Sequence, residues 1–441
     1  MPAPLLHIES SADLPREADA VVIGGGVVGV FTAYYLARRG VRVALLEKGR
    51  VAAEQSSRNW GWCRQQNRDA RELTMATKSL QLWENVARET GEDTNFRRCG
   101  LLYLSQDESQ LATWEAWRDF ARTAGVTTFM LGADEANERG KATGRQWKGG
   151  VFSPTDGTAD PSRAVPVVAR GIMAAGGSVH QFCAARGIEL SAGRVSGVVT
   201  EKGTIATKTV VMAGGAWASS FCNQLGFKFP QATVRSTILA VSPGAPELPA
   251  ALAGPDVAIT RRANGGYTLA IAGRARLDPT PQQLRFARDF LPMFARRWRS
   301  LSLGGLEGWR QGHETLKKWQ LDQITPMERN RILDPSPDMA QVRLTYERAC
   351  KLIPEIRNLS ITNSWAGYID STPDGIPVIG EIEGLPGFIL AAGFSGHGFG
   401  IGPGAGHLIA DIITGMPPIV DPAHFRPERL QTAAWGKVAE F

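Results

Sequence analysis

The hydrophobic and polar positions near the start of the chain predict a strand, a helix and a second strand in close succession. Residues 21–23, Val-Val-Ile, form a β-branched run that is typical of a strand buried on both faces. A helical stretch follows to Arg39, Gly40 marks a turn, and residues 41–46 form a second apolar run. This segment therefore predicts a β–α–β unit.

The rest of the chain alternates between helical and strand-like patterns. The segments predicted as helices are residues 70–90, 107–124 and 405–413, together with the basic segment 280–358. The segments predicted as strands are residues 100–105, 178–211, 226–275 and 388–392, with strand and turn again at 361–380. The polar–apolar alternation of residues 178–211 indicates an antiparallel meander. The Pro- and Gly-containing loop 151–163 indicates a return from a second domain to the first.

Three glycines separate the first strand from the first helix. Gly24, Gly26 and Gly29 stand in G-x-G-x-x-G spacing, and Glu47 closes the second strand. The first glycine permits a tight turn, the second lets the backbone approach a pyrophosphate, and the third lets helix and strand pack closely. The free N–H groups of a helix N-terminus bind phosphates, and Glu47 is placed to accept hydrogen bonds from ribose hydroxyls. The unit predicts a dinucleotide site.

FAD is the predicted dinucleotide, with NAD as the alternative. The chain has one G-x-G-x-x-G unit, whereas an enzyme that uses both flavin and nicotinamide usually needs two. Residues 54–64 follow the second strand, where an FAD enzyme threads chain beside the flavin. Residues 213–215 (AGG) and 393–404 (GFSGHGFGIGPG) end two further strands in glycines. The last helix starts in the second of these, so its N-terminus is expected to point at the same ligand.

Composition narrows the class of protein. A chain of 441 residues exceeds one ordinary core and predicts two domains. The net charge of +6 comes from scattered Lys and Arg, which argues against a nucleic-acid groove. Five cysteines without a C-x-x-C pair indicate a reducing compartment, so a cytoplasmic location is predicted. No integral membrane segment is expected, and no His, Cys and carboxylate cluster has metal-ligand spacing.

These motifs together resemble the D-amino-acid oxidase superfamily of FAD enzymes, which includes sarcosine and glycine oxidases. The resemblance covers nearly the whole chain, from the glycine unit with Glu47 to GFSGHGFGIGPG. It implies an α/β fold with an FAD-binding Rossmann-type (glutathione-reductase-like) domain, a mixed-sheet α+β substrate domain and an α-rich insertion. The implied bounds are 1–80, 155–225 and 361–441 for the FAD-binding domain, 81–154 and 226–279 for the substrate-binding domain, and 280–360 for a helical insertion that covers the substrate site.

Three shorter stretches look like bacterial membrane-associated L-amino acid deaminases: EQSSR (54–58), CAARGIELSAGRVSGVVTEKG (183–203) and WAGYIDSTPD (365–374). This resemblance implies FAD-dependent oxidative deamination of a free L-amino acid to the 2-oxo acid and ammonia. Hydride transfer would run from Cα to flavin N5, and O2 (with H2O2 formed) or another acceptor would reoxidise the flavin. The expected side chain is large and apolar, or basic as in L-arginine or L-lysine. Asp370, Asp374 and Glu381 are the candidate partners of a basic group.

The chain departs from these relatives in three places. The deaminases carry an N-terminal membrane-anchoring segment that is missing here, so attachment by that means is not expected. Sarcosine oxidases have a lysine where Gly400 stands, and the turn near Gly367 has no counterpart of their flavin-linking cysteine. FAD is therefore expected to be non-covalent.

The residues predicted to bind FAD come from the glycine unit, the loop after the second strand and the later glycine-rich strand ends. They are Gly24, Gly26, Val27, Val28, Gly29, Glu47, Lys48, Ser56, Ser57, Arg58, Gly61, Trp62, Ala185, Ala213, Gly214, Trp217, Gly393, His397, Gly398, Phe399, Gly400 and Ile401. Ser56, Ser57 and Arg58 are expected at the phosphates. His397 is expected to order its loop through a hydrogen bond.

An amino-acid carboxylate calls for an arginine in a partly dry pocket. The resemblance to the deaminases implies Arg261 as this anchor, and sarcosine oxidases place theirs at the position of Arg64. Trp365 matches a tryptophan that lines the deaminase pocket. Arg261, Arg64 and Trp365 are the predicted catalytic-site residues.

Two other functions stay open on the sequence. One is a D-amino acid or N-methyl amino acid dehydrogenase of the same fold, because a sequence pattern does not show which face of the flavin the pocket presents. The other is a non-catalytic flavin-binding subunit of a larger complex. Homo-oligomerisation is also left open.

Overall fold

The structure is a computed structural model that describes residues 4–244, 248–432 and 438–439. Its strands, in chain order, are β1 (Ala20–Ile23), β2 (Val43–Leu46), β3 (Trp62–Cys63), β4 (Leu101–Ser105), β5 (Phe129–Leu131), β6 (Gly149–Ser153), β7 (Gly157–Thr158), β8 (Ser178–His180), β9 (Ala185–Ser191), β10 (Arg194–Thr200), β11 (Gly203–Ala206), β12 (Val210–Met212), β13 (Ala232–Val241), β14 (Ala251–Ala253), β15 (Ala258–Arg261), β16 (Tyr267–Ala270), β17 (Ala275–Leu277), β18 (Leu301–Leu303), β19 (Ile361–Ser371), β20 (Val378–Glu381) and β21 (Phe388–Ala392). Its helices are α1 (Val27–Arg38), α2 (Ala70–Thr90), α3 (Glu108–Thr123), α4 (Ala133–Arg139), α5 (Ala164–Ala174), α6 (Ala218–Gln224), α7 (Pro281–Arg285), α8 (Leu291–Arg297), α9 (Glu307–Gln311), α10 (Pro326–Arg329), α11 (Met339–Leu352), α12 (Gly398–Thr414) and α13 (Arg429–Thr432).

The predicted β–α–β unit forms the centre of a six-stranded sheet with the order β20–β21–β12–β1–β2–β8. Val22 of β1 faces Leu45 of β2 on one side and Val211 of β12 on the other, and both pairings are parallel. The edge strand β20 runs antiparallel to β21. Helices α1, α2, α5 and α12 pack against one another around a core that includes Phe31 and Trp83. The Rossmann-type sheet expected from the sequence is confirmed.

The segment predicted as one antiparallel meander divides between two sheets. Strands β9, β10 and β11 do form a three-stranded antiparallel sheet. The flanking strands β8 and β12 instead pair in parallel with β2 and β1 of the six-stranded sheet. The three-stranded sheet therefore lies, in sequence, between two strands of the FAD-binding sheet.

A mixed ten-stranded sheet forms the second half of the molecule, with the order β18–β17–β13–β16–β15–β14–β4–β6–β5 and β19 paired to β13. The pairing of β13 with β19 runs from Ala232 opposite Ser371 to Val241 opposite Ile361. Residues 361–371, assigned from the sequence to the FAD-binding domain, are thus a strand of the large sheet. Helix α2 likewise crosses the predicted boundary at residue 80 and packs on α12.

Helix α12 begins at Gly398, seven residues before the predicted start at Ala405. Its glycines explain the difference, because a Cβ at Gly402 or Gly406 would be pressed against Val27 or Phe31 of α1. A run of glycines opposes a helix by intrinsic propensity. Here the close approach of two helices outweighs that propensity and makes glycine necessary.

The segment predicted as a helical insertion is less regular than expected. Four short helices, α7 to α10, and the strand β18 alternate with loops between residues 281 and 329. The longer helix α11 follows, and its side chains Val342, Ala349 and Leu352 join the core on one face of the large sheet. The many basic residues of the predicted insertion obscure the apolar periodicity that would distinguish helix from loop in its sequence. Among the residues described, no helix is both long and apolar enough to cross a membrane.

Candidate active site

The turn between β1 and α1 is shaped by its glycines. Gly24 has φ +112°, and a Cβ there would collide with the carbonyl oxygen of Ala213 at the end of β12. Gly29 lies so close to Gly24 that a Cβ would strike its carbonyl oxygen. Gly26 precedes α1 without a side-chain cap, and the next amide, Val27 N–H, donates to Ser56 Oγ at 2.9 Å. Ser56 therefore caps the first amide of α1, and the positive end of the helix suits an anionic ligand.

Glu47 stands at the end of β2, next to that turn. Its carboxylate accepts hydrogen bonds from the backbone N–H groups of Gly25 and Gly49, each at 2.7 Å. Burial raises the pKa of Glu47, while the neighbouring Lys48 lowers it. A buried, oriented carboxylate with spare lone pairs suits a pair of ribose hydroxyls.

A cavity runs from this turn across the ends of β2 and β12 to the start of α12; we call it the FAD cavity. The predicted cofactor residues that line it are Gly24, Gly26, Val27, Val28, Glu47, Lys48, Ser56, Arg58, Ala185, Ala213, Gly214, Trp217, Gly398 and Phe399. The helix start, the glycine turn and the buried Glu47 fit the diphosphate and ribose of a dinucleotide. An FAD molecule would be held by these residues.

Eight predicted cofactor residues lie outside the lining of the FAD cavity. Trp62, His397 and Gly400 line a second cavity that adjoins it. Ile401 is buried in the core, and the Ser57 hydroxyl donates to Glu54 O at 3.3 Å. The three remaining glycines shape the backbone: Gly29 as described, Gly61 at a turn with φ +82°, and Gly393 at φ +75° with its N–H bound to Asp370.

Arg58 lines the FAD cavity, and protein acceptors take up part of its guanidinium. One terminal nitrogen donates to Asp334 Oδ1 at 2.6 Å and to Ala366 O at 2.8 Å. The Nε donates to Ala53 O at 3.1 Å. Arg58 therefore connects its loop to β19 and the insertion, and its expected role at a phosphate stays a prediction.

The second cavity, which we call the substrate cavity, has a volume of about 790 Å³ and meets the FAD cavity at Gln55, Asn59, Gly396 and Phe399. Its walls come from the loop after β3, the large sheet and the insertion. The insertion side chains that line it are Leu284, Phe290, Leu291, Met293, Phe294, Arg297 and Leu301. The expectation that the insertion covers this site is supported by these contacts.

Two arginines from one loop reach the substrate cavity. Arg64 is half-buried, and its guanidinium donates to the carbonyl oxygen of Gln66. Arg68 is 3% exposed; its Nε lies 3.4 Å from Arg64 O, and one of its terminal nitrogens has no hydrogen-bond acceptor. Burial, followed by the charge of Arg64, lowers the pKa of Arg68 to about 10, so it remains a cation at neutral pH. A buried, unpaired guanidinium N–H at a cavity wall is suited to a carboxylate.

The arginine loop is held in place by Asp156. Its carboxylate accepts from Gln65 N–H at 2.7 Å and from Gln66 N–H at 3.2 Å. Burial raises the pKa of Asp156 to about 6, against the lowering effect of these amides and of Arg64. These two hydrogen bonds hold the backbone between Arg64 and Arg68 in place.

The structure corrects the two other predicted substrate residues. Arg261 is the last residue of β15, opposite Tyr267 beside a turn, and its side chain is exposed outside both cavities. Trp365 is 4% exposed and packs with Ile238 and Trp60 in the core. Its indole N–H donates to Arg58 O at 3.2 Å. Of the three predicted residues, Arg64 alone lines the substrate cavity.

The sequence reasoning missed Arg68. The available signal was the segment RQQNR, in which a second arginine follows Arg64 by four positions just after the stretch predicted beside the flavin. The segment alone does not show that Arg68 is buried whereas Arg64 is only half-buried.

The fold and the two joined cavities define an FAD-dependent oxidoreductase. The FAD dependent oxidoreductase family, DAO, matches residues 19–412, and the chain belongs to this family. Its cofactor is FAD and its substrates are of the amino-acid type. The family predicted from the sequence is confirmed.

Three known proteins show the range of activities on this fold. The L-amino acid deaminase from Proteus myxofaciens, in complex with anthranilate, is similar with a TM-score of 0.92 and 28% identity over 97% of both chains. L-proline dehydrogenase from P. horikoshii is similar with a TM-score of 0.78 and 26% identity, over 95% of this chain and 99% of that one. Glycine oxidase from Pseudomonas putida is 26% identical over 92% of this chain and 98% of its own length.

Proposed function

We propose that this enzyme oxidises the Cα–N bond of a free L-amino acid with a large apolar side chain, yielding an imino acid that water hydrolyses to the 2-oxo acid and ammonia. The observation that carries the proposal is the buried, unpaired guanidinium N–H of Arg68 in a cavity that adjoins the FAD cavity. FAD, when bound, accepts the two electrons and the Cα hydrogen of the substrate.

The substrate carboxylate is assigned to Arg64 and Arg68. The desolvated guanidinium of Arg68 offers a charge-assisted hydrogen bond, which is stronger than one between neutral groups. Arg64, from the same loop, adds a second cation at the wall of the cavity. Together they orient the Cα of the substrate relative to the junction with the FAD cavity, and orientation is the main contribution that the protein makes to such chemistry.

The lining of the cavity favours an apolar side chain. Trp60, Trp62, Tyr103 and the apolar insertion side chains dominate it, whereas its described lining contains four arginines and no Asp or Glu. The three acids expected to bind a basic group lie elsewhere. Asp370 lines the FAD cavity, Asp374 pairs with Arg429, and Glu381 accepts from Gly387 N–H. L-arginine and L-lysine are therefore replaced by L-phenylalanine and L-leucine as the expected substrates.

The L configuration is supported by the similarity to the Proteus deaminase, with its TM-score of 0.92. A second candidate is oxidation of glycine or an N-methyl amino acid, favoured by the glycine oxidase of Pseudomonas putida and by the sarcosine dehydrogenase of Mus musculus, which is 26% identical over 92% of this chain and 41% of its own length. The volume of the substrate cavity favours the larger substrate. A cytoplasmic location and reoxidation by O2 or another acceptor belong to the same proposal.

The test is anaerobic bleaching of the flavin absorbance by a panel of amino acids. We expect L-phenylalanine and L-leucine to reduce the flavin faster than L-arginine, L-lysine, glycine, N-methylglycine or any D-amino acid. Reduction by D-amino acids or N-methylglycine alone would replace the proposal with the second candidate.

A further inference from the structure

The imidazole of His397 lies where the two cavities meet. His397 immediately precedes α12 and lines the substrate cavity, and its neighbours in sequence Gly396 and Phe399 line both cavities. Its Nδ1 is 3.2 Å from Oε2 of Glu72, a fully buried side chain of α2. A paired histidine at this junction is placed close to any substrate atom that faces the cofactor.

Helix α2 fixes this histidine through a row of contacts to the start of α12. The Trp83 indole N–H donates to Gly400 O at 3.1 Å. The Ser79 hydroxyl donates to Ile401 O at 3.1 Å and accepts from Gly404 N–H at 3.0 Å. The bond between Glu72 and His397 is the first contact in this row and restrains both side chains.

The pairing determines which ring nitrogen carries the hydrogen. With the Glu72 carboxylate as the acceptor of this hydrogen bond, Nδ1 of His397 holds the ring hydrogen. The Nε2 atom, which makes no hydrogen bond within the described part of the chain, keeps its lone pair. Burial and the charges of Arg68 and Arg64 lower the pKa of His397, while Glu72 raises it, and the ring is neutral at physiological pH.

The substrate needs a proton acceptor. A free amino acid at neutral pH carries an ammonium group, which has no lone pair with which to form a C=N bond. One proton must leave the nitrogen before the Cα hydrogen and its two electrons can leave Cα. Besides His397 and Glu72, the charged groups at this part of the cavity wall are the cations Arg64 and Arg68. A guanidinium cation cannot accept the proton of the substrate ammonium.

We propose that Nε2 of His397 accepts this proton, and that Glu72 is the positioning residue that orients the ring and stabilises the imidazolium. The inference rests on the proposed function. The N–H bond of the substrate breaks and an N–H bond forms on Nε2, while the hydrogen on Nδ1 stays in place against Glu72. The proton leaves to solvent through the open substrate cavity after the product has gone.

The kinetic test compares pH profiles of flavin reduction by L-phenylalanine. We expect His397→Asn to lower the second-order rate constant at pH 7 by roughly 10²-fold or more. The defect should shrink towards pH 10, where the amine loses its proton in solution. Glu72→Gln should move the acidic limb of the profile to lower pH with a smaller loss. The matched control is His407→Asn. His407 is also paired with a carboxylate, that of Asp411, but it lies further along α12 and outside both cavities. A His397→Asn variant within threefold of the wild type, with an unchanged profile, would overturn the proposal.

A second measurement does not depend on turnover. The ¹⁵N NMR spectrum of the histidine-labelled holoenzyme, with His397 assigned by its absence from His397→Asn, reports the tautomer directly. We expect hydrogen on Nδ1 and a free Nε2, and hydrogen on Nε2 would overturn the assignment. If no amino acid reduces the wild-type flavin, the proposed function fails, and the tautomer still decides whether this site is built as a proton acceptor.

Discussion

The FAD cavity and the substrate cavity share four residues, yet the chain builds them in different ways. The FAD cavity is built around close backbone turns, which are the glycine turn after β1, the strand end at Ala213 and the start of α12, with side chains such as Glu47 and Trp217 completing its wall. The substrate cavity uses side chains brought together from the loop after β3, the large sheet and the insertion. A site built around backbone turns depends on local glycine spacing, whereas a site lined mainly by side chains depends on long-range packing.

The largest expected effect is the loss of FAD in Gly24→Val. The new Cβ would collide with Ala213 O, and valine disfavours the φ of +112°. We expect purified protein without flavin absorbance. The matched control is Gly40→Ala, because Gly40 also has a positive φ, +76°, but nothing lies within 4 Å of an added Cβ. It should lose ~1–2 kcal/mol of stability and keep its flavin. Full flavin content in Gly24→Val would break the comparison.

Release of FAD by acid tests whether the flavin is covalently linked to the protein. No cysteine or histidine belongs to the described lining of the FAD cavity, and His397, at its junction with the substrate cavity, is already paired with Glu72, so we expect a non-covalent flavin. Acid precipitation should leave the yellow colour in the supernatant. Colour that pellets with the denatured protein would show a covalent link.

A smaller effect is expected from Asp156→Asn. The substitution weakens the hydrogen bonds to Gln65 and Gln66 by replacing a charged acceptor with a neutral one. We expect ~1 kcal/mol less transition-state stabilisation, or roughly fivefold in kcat/KM, with normal flavin content. Asp134→Asn, on the exposed face of α4, is the control and should be neutral. An equal effect of both changes would show that Asp156 does not position the arginine loop.

The last expected effect is on stability and not on activity, and concerns its pH dependence through Glu314, which lies outside the lining of both cavities. Its buried carboxylate accepts from Thr233 N–H at 2.7 Å and from the Thr280 hydroxyl at 2.5 Å. Burial raises its pKa from 4.5 to about 7. A raised folded-state pKa gives stability that is complete below pH 4.5 and is lost as pH rises through 7. In the wild type, the free energy of unfolding should fall by up to about 3 kcal/mol between pH 4.5 and 8 because of Glu314, and Glu314→Gln should abolish this fall. The measurement is urea unfolding across this pH range. An unchanged pH dependence would show that folding does not raise the pKa of Glu314.

The predictability of each region follows from how it is built. Gly24, Glu47 and Ala213, predicted to bind FAD, line the FAD cavity, and their placement follows from the local geometry of strand, turn and helix. Arg261 was misplaced because its side chain follows from the register of β15 against β16, which the sequence does not show. Trp365 was misplaced for a related reason, since β19 pairs with β13 and turns the indole into the core.

The predicted domain bounds differ from the sheet organisation where one element lies beside one sheet in sequence but pairs with the other. Strand β19 precedes the FAD-binding strands β20 and β21 in sequence but belongs to the large sheet. The early start of α12 was missed because glycine propensity argues against a helix, and only the packing of α1 reverses it.

The substitutions Arg68→Met and Arg261→Met, compared in one experiment, test the central claim most directly. The measurement is kcat/KM for L-phenylalanine, with flavin content and unfolding temperature as checks on the fold. Removal of a buried charged hydrogen bond costs roughly 1.5–3 kcal/mol, so Arg68→Met should lower kcat/KM by at least tenfold. Arg261→Met, at an exposed position outside both cavities, should stay within twofold of the wild type. A tenfold loss in Arg261→Met with a neutral Arg68→Met would contradict the assignment of the substrate carboxylate to this cavity.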